Sequence, residues 1–128
     1  MATIEGAFRE VIEKSKWVAI ATHGPDGPHL AACWTRNVLA LGVGADEILV
    51  PAWRYEKTAE NLRSDPRIEL LFVARDVPHA DGAGQGCTVS GTGELQTTGP
   101  KAESVKARFP WSRGVLVVKA TGVKTHLP

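Results

Sequence analysis

The chain is short of the residues that usually announce a chemistry: two cysteines, one methionine and one tyrosine in 128 residues. Cys33 and Cys87 lie far apart and match neither a CxxC element nor a zinc pattern, which sets aside a disulfide framework and a zinc-organised fold. The histidines, His23, His29, His79 and His126, show no ligand spacing, so no metal is expected. No run of about 18 apolar residues is present, and no membrane span is expected. No block of Lys or Arg stands out and the net charge is only +1, which argues against nucleic acid or an anionic membrane as the main partner. A Walker-type glycine loop is missing, as is any Ser/His/Asp or paired-carboxylate spacing. Hydrolytic chemistry therefore has no support, and no residue is assigned as catalytic. The segment Met1 to Gly6 lacks a basic stretch and an apolar stretch, so we expect no signal peptide and a cytoplasmic protein with reduced thiols.

What is present is the composition of a soluble globule, 43% apolar and 23% charged, with a length that suits one domain over residues 1–128. Phe8, Val11 and Ile12 at helical spacing predict a short amphipathic helix over roughly residues 4–15. Trp17 to Thr22 reads as a strand, and Gly24-Pro25-Asp26-Gly27-Pro28 as the turn of a hairpin. Further strands are expected over about 29–39, 47–51, 67–74, 87–96 and 115–124, with the centre of the 67–74 run too apolar for a one-sided edge. Helices are expected over about 56–63 and 101–108, and residues 77–86, rich in glycine, as a flexible loop. Gly91 and Gly93 inside a strand suit bulges or tight bends. About six strands with three short helices at the joints predict a mainly β protein, a closed or nearly closed antiparallel barrel rather than a doubly wound sheet.

One local pattern carries chemistry. Tyr55-Glu56-Lys57-Thr58 follows the apolar strand Ile48-Leu49-Val50 and opens a helix. An ammonium beside a hydroxyl on the first turn, next to unpaired N–H groups, is a sensible cup for a phosphate. Without a Walker loop, that phosphate belongs more naturally to a bound cofactor than to a nucleotide being hydrolysed. Arg36 and Arg54 are further anion candidates, since guanidinium matches phosphate as a fork. The tryptophans Trp17, Trp34, Trp53 and Trp111 would by default fill a core or an interface, and Cys33 would be an inert buried thiol.

Set in order, these segments resemble a known family. His23-Gly24-Pro25-Asp26-Gly27-Pro28-His29-Leu30 followed by Trp34, then Val50-Pro51, Glu56-Lys57-Thr58-Ala59-Glu60-Asn61 and Ala107-Arg108-Phe109-Pro110-Trp111, closely resembles the pyridoxamine-phosphate-oxidase-like FMN-binding split barrels, among them the small FMN-binding proteins of sulfate-reducing bacteria. The resemblance covers nearly the whole chain. It implies a six-stranded antiparallel split β-barrel, a homodimer, and one non-covalent FMN per subunit near the dimer interface. It also implies site residues. Lys57 and Thr58 match the phosphate-binding pair, and Ala32, Cys33, Trp34 and Thr35 match a strand walling the flavin site. Val50, Pro51 and Ala52 match the backbone edge facing the isoalloxazine. Trp34 and Trp111 match aromatic residues near the ring, with Trp111 expected from the partner subunit. The chain departs from the family at Asn37, where a tyrosine is usual, and at Cys33, where a threonine is. It departs again at Trp53-Arg54, where the family has Gly-Gly.

The function implied is redox chemistry by bound FMN, either as an electron carrier or as a flavin oxidoreductase, fed by an unidentified redox partner or a reduced nicotinamide donor. Two rivals follow from the same residues. A pyridoxamine-phosphate-oxidase-like enzyme would need a second phosphate site built from further basic residues. A barrel that has lost its flavin, with Trp53-Arg54 filling the ring's space, would serve as a ligand-binding or interaction module.

Overall fold

Burial alternates along the strands and sets the face each one turns inward. In the strand Arg67–His79, Ile68, Leu70, Phe72 and Ala74 are buried while Val73 stands exposed. The structure, a computed structural model, describes residues 3–128. These form α1 (Gly6–Lys14), β1 (Trp17–Gly24), β2 (Gly27–Trp34), α2 (Thr35–Leu41), β3 (Glu47–Ala52) and α3 (Glu56–Ser64). The chain continues through β4 (Arg67–His79), β5 (Gly82–Gln96), α4 (Pro100–Arg108) and β6 (Gly114–Thr125). The six strands of the described residues make one antiparallel sheet in the order β2-β1-β4-β5-β6-β3. It curls into a split barrel whose two edge strands, β2 and β3, are bridged in sequence by α2.

One apolar cluster fills the curl. Val18 and Ile20 of β1, Leu70 and Phe72 of β4, Val89 of β5, Leu116 and Val118 of β6, and Ile48 and Val50 of β3 all meet there. Val11 and Ile12 of α1 and Val38 of α2 complete it. Each such side chain contributes about 1.5–3 kcal/mol by leaving water. Register shifts between Ser90 and Gly91, where β5 bends against β6. A Cβ at Gly91 would collide with the Lys119 carbonyl oxygen, so the bulge requires glycine there. Gly93, by contrast, pairs in regular register with Val118.

Two segments differ from the sequence expectation. The second strand stops at Trp34, and residues 35–41 form α2, a fourth helix. Thr35 and Val38, three residues apart, are both fully buried, a helical spacing that an extended chain would have split between faces. The Thr35 N–H donates to the Lys16 carbonyl (3.0 Å), its hydroxyl pairs with that of Ser15 (3.0 Å), and Gly42 at φ 84° ends the helix. The expected loop over residues 77–86 is instead the far end of a long hairpin, in which Pro78 faces Ala83 and His79 faces Gly82. Gly82 and Gly84 adopt positive φ within it, and the C-terminal residues tie it down. Ala80 donates to the Pro128 carbonyl (2.7 Å), and Gln85 exchanges hydrogen bonds with the backbone of His126 and Leu127.

Candidate functional site

A cavity of about 990 Å³ opens at the split, where β2 and β3 end. Ala32, Cys33 and Trp34 of β2 form one wall, Pro51 of β3 another, and Arg36 and Asn37 at the start of α2 join them. Trp17, the cross-strand partner of Trp34, stands at the same end of the hairpin. Trp53 and Tyr55 come from the connection between β3 and α3, and Trp111 from the connection between α4 and β6. All four tryptophans of the chain therefore line one cavity, and all are exposed, at 47% to 59%. Trp17 is thus not a core residue. Phe109 steadies Trp111, their ring centres 5.4 Å apart and tilted by 57°.

The backbone is strained where the cavity meets α3. Arg54 (φ 68°) and Tyr55 (φ 57°) both adopt the left-handed conformation, and they are the only non-glycine residues among those described that do so. Such a conformation costs on the order of 1–3 kcal/mol per residue and persists only where its surroundings hold it. Here the Tyr55 hydroxyl donates to the Ala32 carbonyl (2.9 Å), and Arg113 Nε donates to the Arg54 carbonyl (2.6 Å). The Arg54 guanidinium lies 5.1 Å from the centre of the Trp53 ring, a cation–π distance.

Two weak acids in the wall stay protonated. Burial pushes the Cys33 thiol up to about 11, while the neighbouring Tyr55 hydroxyl pulls the other way. Burial first, and then the neighbouring Cys33, raises the Tyr55 hydroxyl above its ordinary value. Neither is a thiolate or phenolate near neutral pH, so neither is an activated nucleophile. Arg36 is then the one residue of the lining that carries a formal charge near neutral pH, and it has no carboxylate within ion-pair distance among the described residues.

Lys57 and Thr58 lie on the first turn of α3, just after Tyr55, outside the cavity lining. Lys57 Nζ donates to Asp26 Oδ2 (2.8 Å) in the β1–β2 turn and sits 3.8 Å from Glu60 Oε1. The bond to Asp26 is the main cause that raises Lys57 above its ordinary pKa and holds Asp26 below its own. Thr58 turns inward, and its buried hydroxyl has no hydrogen-bond partner among the described residues. An orphan of this kind costs about 1–3 kcal/mol, and unfilled hydrogen-bonding capacity next to a lysine suits a phosphate-bearing cofactor. Tyr55 offers no side-chain cap to α3, which leaves the first N–H groups of the helix without one.

Of the residues expected at a flavin site, the cavity brings together Ala32, Cys33, Trp34, Asn37 and Pro51, and Trp111, expected from a partner subunit, lines the cavity of its own chain. Thr35, Val50 and Ala52 are buried behind it rather than in its lining. Tyr55 is a further wall residue that no sequence pattern marks.

The family model described as pyridoxamine 5'-phosphate oxidase matches residues 4–126. An FMN-binding protein of Nitratidesulfovibrio vulgaris is 35% identical over 124 residues, 97% of this chain and 99% of that protein. Among solved structures, HupZ of Group A Streptococcus is similar with a TM-score of 0.70 and 18% identity, over 92% of this chain and 90% of that one. An FMN-binding protein from Syntrophomonas wolfei is similar with a TM-score of 0.62 and 17% identity, over 94% and 88% of the two chains. At such identities the solved structures establish the fold alone.

Proposed function

The chain belongs to the pyridoxamine 5'-phosphate oxidase family, and we propose that it binds FMN non-covalently and serves in redox chemistry. The observation that carries this reading is the convergence of four tryptophans and Tyr55 on one cavity beside the uncapped start of a lysine-bearing helix. Trp34, Trp53 and Trp111 offer aromatic faces to a planar ring. Lys57, Thr58 and the first N–H groups of α3 hold its phosphate. When bound, the flavin supplies the electron or hydride transfer. The chain supplies the surroundings. The neutral Cys33 and Tyr55 add no charge, and Arg36 makes the potential in the cavity positive, which favours a ligand that gains negative charge.

The protein acts as a homodimer in this reading. Exposed Trp17, Trp34, Trp53 and Trp111, with Leu30 and Val73 also exposed, form the kind of aromatic surface that a second subunit covers. Electrons come from a protein partner or a reduced nicotinamide. Trp53 stands in the wall of the cavity, and the open volume of about 990 Å³ supports a bound ring over a barrel that has lost its flavin.

The test is direct. Purified protein should take up FMN at micromolar concentration, turn yellow, and lose much of its tryptophan emission, since every tryptophan lines the cavity. Protein that stays colourless with added FMN sinks the proposal. Anaerobic mixing with NADH or NADPH then separates a reductase, which bleaches within minutes, from a carrier that needs a protein donor.

A further inference from the structure

We propose that Arg113 is a positioning residue that locks the start of α3 into the form that receives a phosphate. This deepens the flavin reading above and rests on it.

Arg113 occupies the last residue before β6 and has no carboxylate within ion-pair distance among the described residues. Its bonds go to backbone. Its N–H donates to the Ala52 carbonyl (2.8 Å), and its Nε donates to the Arg54 carbonyl (2.6 Å). It therefore grips the chain on both sides of Trp53. The second of these carbonyls belongs to the first of the two left-handed residues, Arg54 and Tyr55. Tyr55 in turn is the N-cap of α3, and its carbonyl accepts the Ala59 N–H (2.8 Å), the first hydrogen bond of the helix. A single chain of contacts runs from the Arg113 guanidinium through the strained pair to the turn that carries Lys57 and Thr58.

Strain explains why such a staple is required. Arginine and tyrosine pay for the left-handed conformation, whereas glycine does not. Without an external bond the pair relaxes toward ordinary backbone, and the first turn of α3 moves or frays with it. The Tyr55 hydroxyl holds the second residue from the β2 side, and Arg113 holds the first from the β6 side. The first turn of α3 is thus fixed across the split of the barrel rather than by a cap of its own.

The experiment compares wild type, Arg113→Ala, Arg113→Lys, and Arg113→Ala combined with Arg54→Gly. In the free protein, the amide of Ala59 should exchange with solvent at least several-fold faster in Arg113→Ala, while core amides such as that of Leu70 keep their protection. FMN affinity should fall by about tenfold, with riboflavin, which lacks the phosphate, changed far less. Arg54→Gly in the Arg113→Ala background should restore both the slow Ala59 exchange and most of the FMN affinity, because glycine removes the strain that Arg113 opposes. Arg113→Lys keeps the charge and one flexible donor, and should fall between. Unchanged Ala59 exchange in Arg113→Ala overturns the proposal, as does a loss that Arg54→Gly fails to restore or one that strikes FMN and riboflavin equally. Should Arg113→Ala fail to fold, Arg113→Gln, which retains an amide donor, replaces it under the same criteria. Wild-type protein that binds neither FMN nor riboflavin defeats the flavin reading and with it the phosphate role, and Ala59 exchange still decides whether Arg113 holds the helix start.

Discussion

At the start of α3 the candidate phosphate site is local: Lys57, Thr58 and the free N–H groups come from one turn of chain, with Asp26 of the hairpin as the one distant neighbour. The cavity next to it is the opposite, drawn from β1, β2, α2, β3 and two connections. Their charges differ as well. Lys57 stands among Glu56, Glu60 and Asp26 and is already paired, while the cavity holds Arg36 without a partner between aromatic walls. The difference divides the work of recognition. On the flavin reading proposed above, the local end discriminates through charge and hydrogen bonds, and the assembled end through shape and aromatic contact. A ligand with both a phosphate and a planar ring engages both ends, and a ligand with the ring alone engages one.

That division predicts asymmetric losses. Lys57→Ala should weaken FMN on the order of a hundredfold, the worth of a charge-assisted bond, and leave riboflavin nearly unchanged. Paired titrations followed by flavin fluorescence measure this, and equal losses for the two ligands would erase the distinction between the ends. Trp34→Ala should cost about tenfold, the scale of one lost aromatic stack, and it should do so for FMN and riboflavin alike. A Trp34 variant that spares riboflavin would place the ring elsewhere.

The same division explains what could be read in advance. The helix start at Lys57-Thr58 was legible because an adjacent polar pair directly after an apolar strand marks the first turn of a helix. Alternating apolar residues such as Ile68, Leu70 and Phe72 announced the strands, and the ordered segments announced the split barrel. The helix α2 was hidden because Trp34 at its N-cap offers no capping side chain and its seven residues run apolar toward the end. The far end of the β4–β5 hairpin was hidden because its glycines, read as loop, supply positive φ inside a ladder. Trp17 was read as buried or at an interface, since nothing in its own strand shows that the first residue meets Trp34 at an open end. Tyr55 was hidden for a different reason. A tyrosine in left-handed backbone is uncommon enough that only its φ and its bond to the Ala32 carbonyl reveal it.

The smallest expected effect is the one that best separates the ends, because its sign is reversed. Asp26 accepts the Lys57 ammonium in the free protein and stands where a phosphate oxygen would compete. Asp26→Asn should therefore tighten FMN by about threefold, as expected for a solvent-exposed ion pair, and leave riboflavin unmoved. Acid should act in the same direction. The Asp26 carboxyl is held below its ordinary value by Lys57, so the ion pair is fully present above the carboxyl's unfolded pKa and is lost as pH falls through the lowered folded value. Over that acidic window the ratio of riboflavin to FMN dissociation constants should rise in wild type and stay flatter in Asp26→Asn, once the titration of FMN's own phosphate, common to both, is divided out. A variant that binds FMN more weakly than wild type would mean that Asp26 orients Lys57 for the phosphate rather than competing with it.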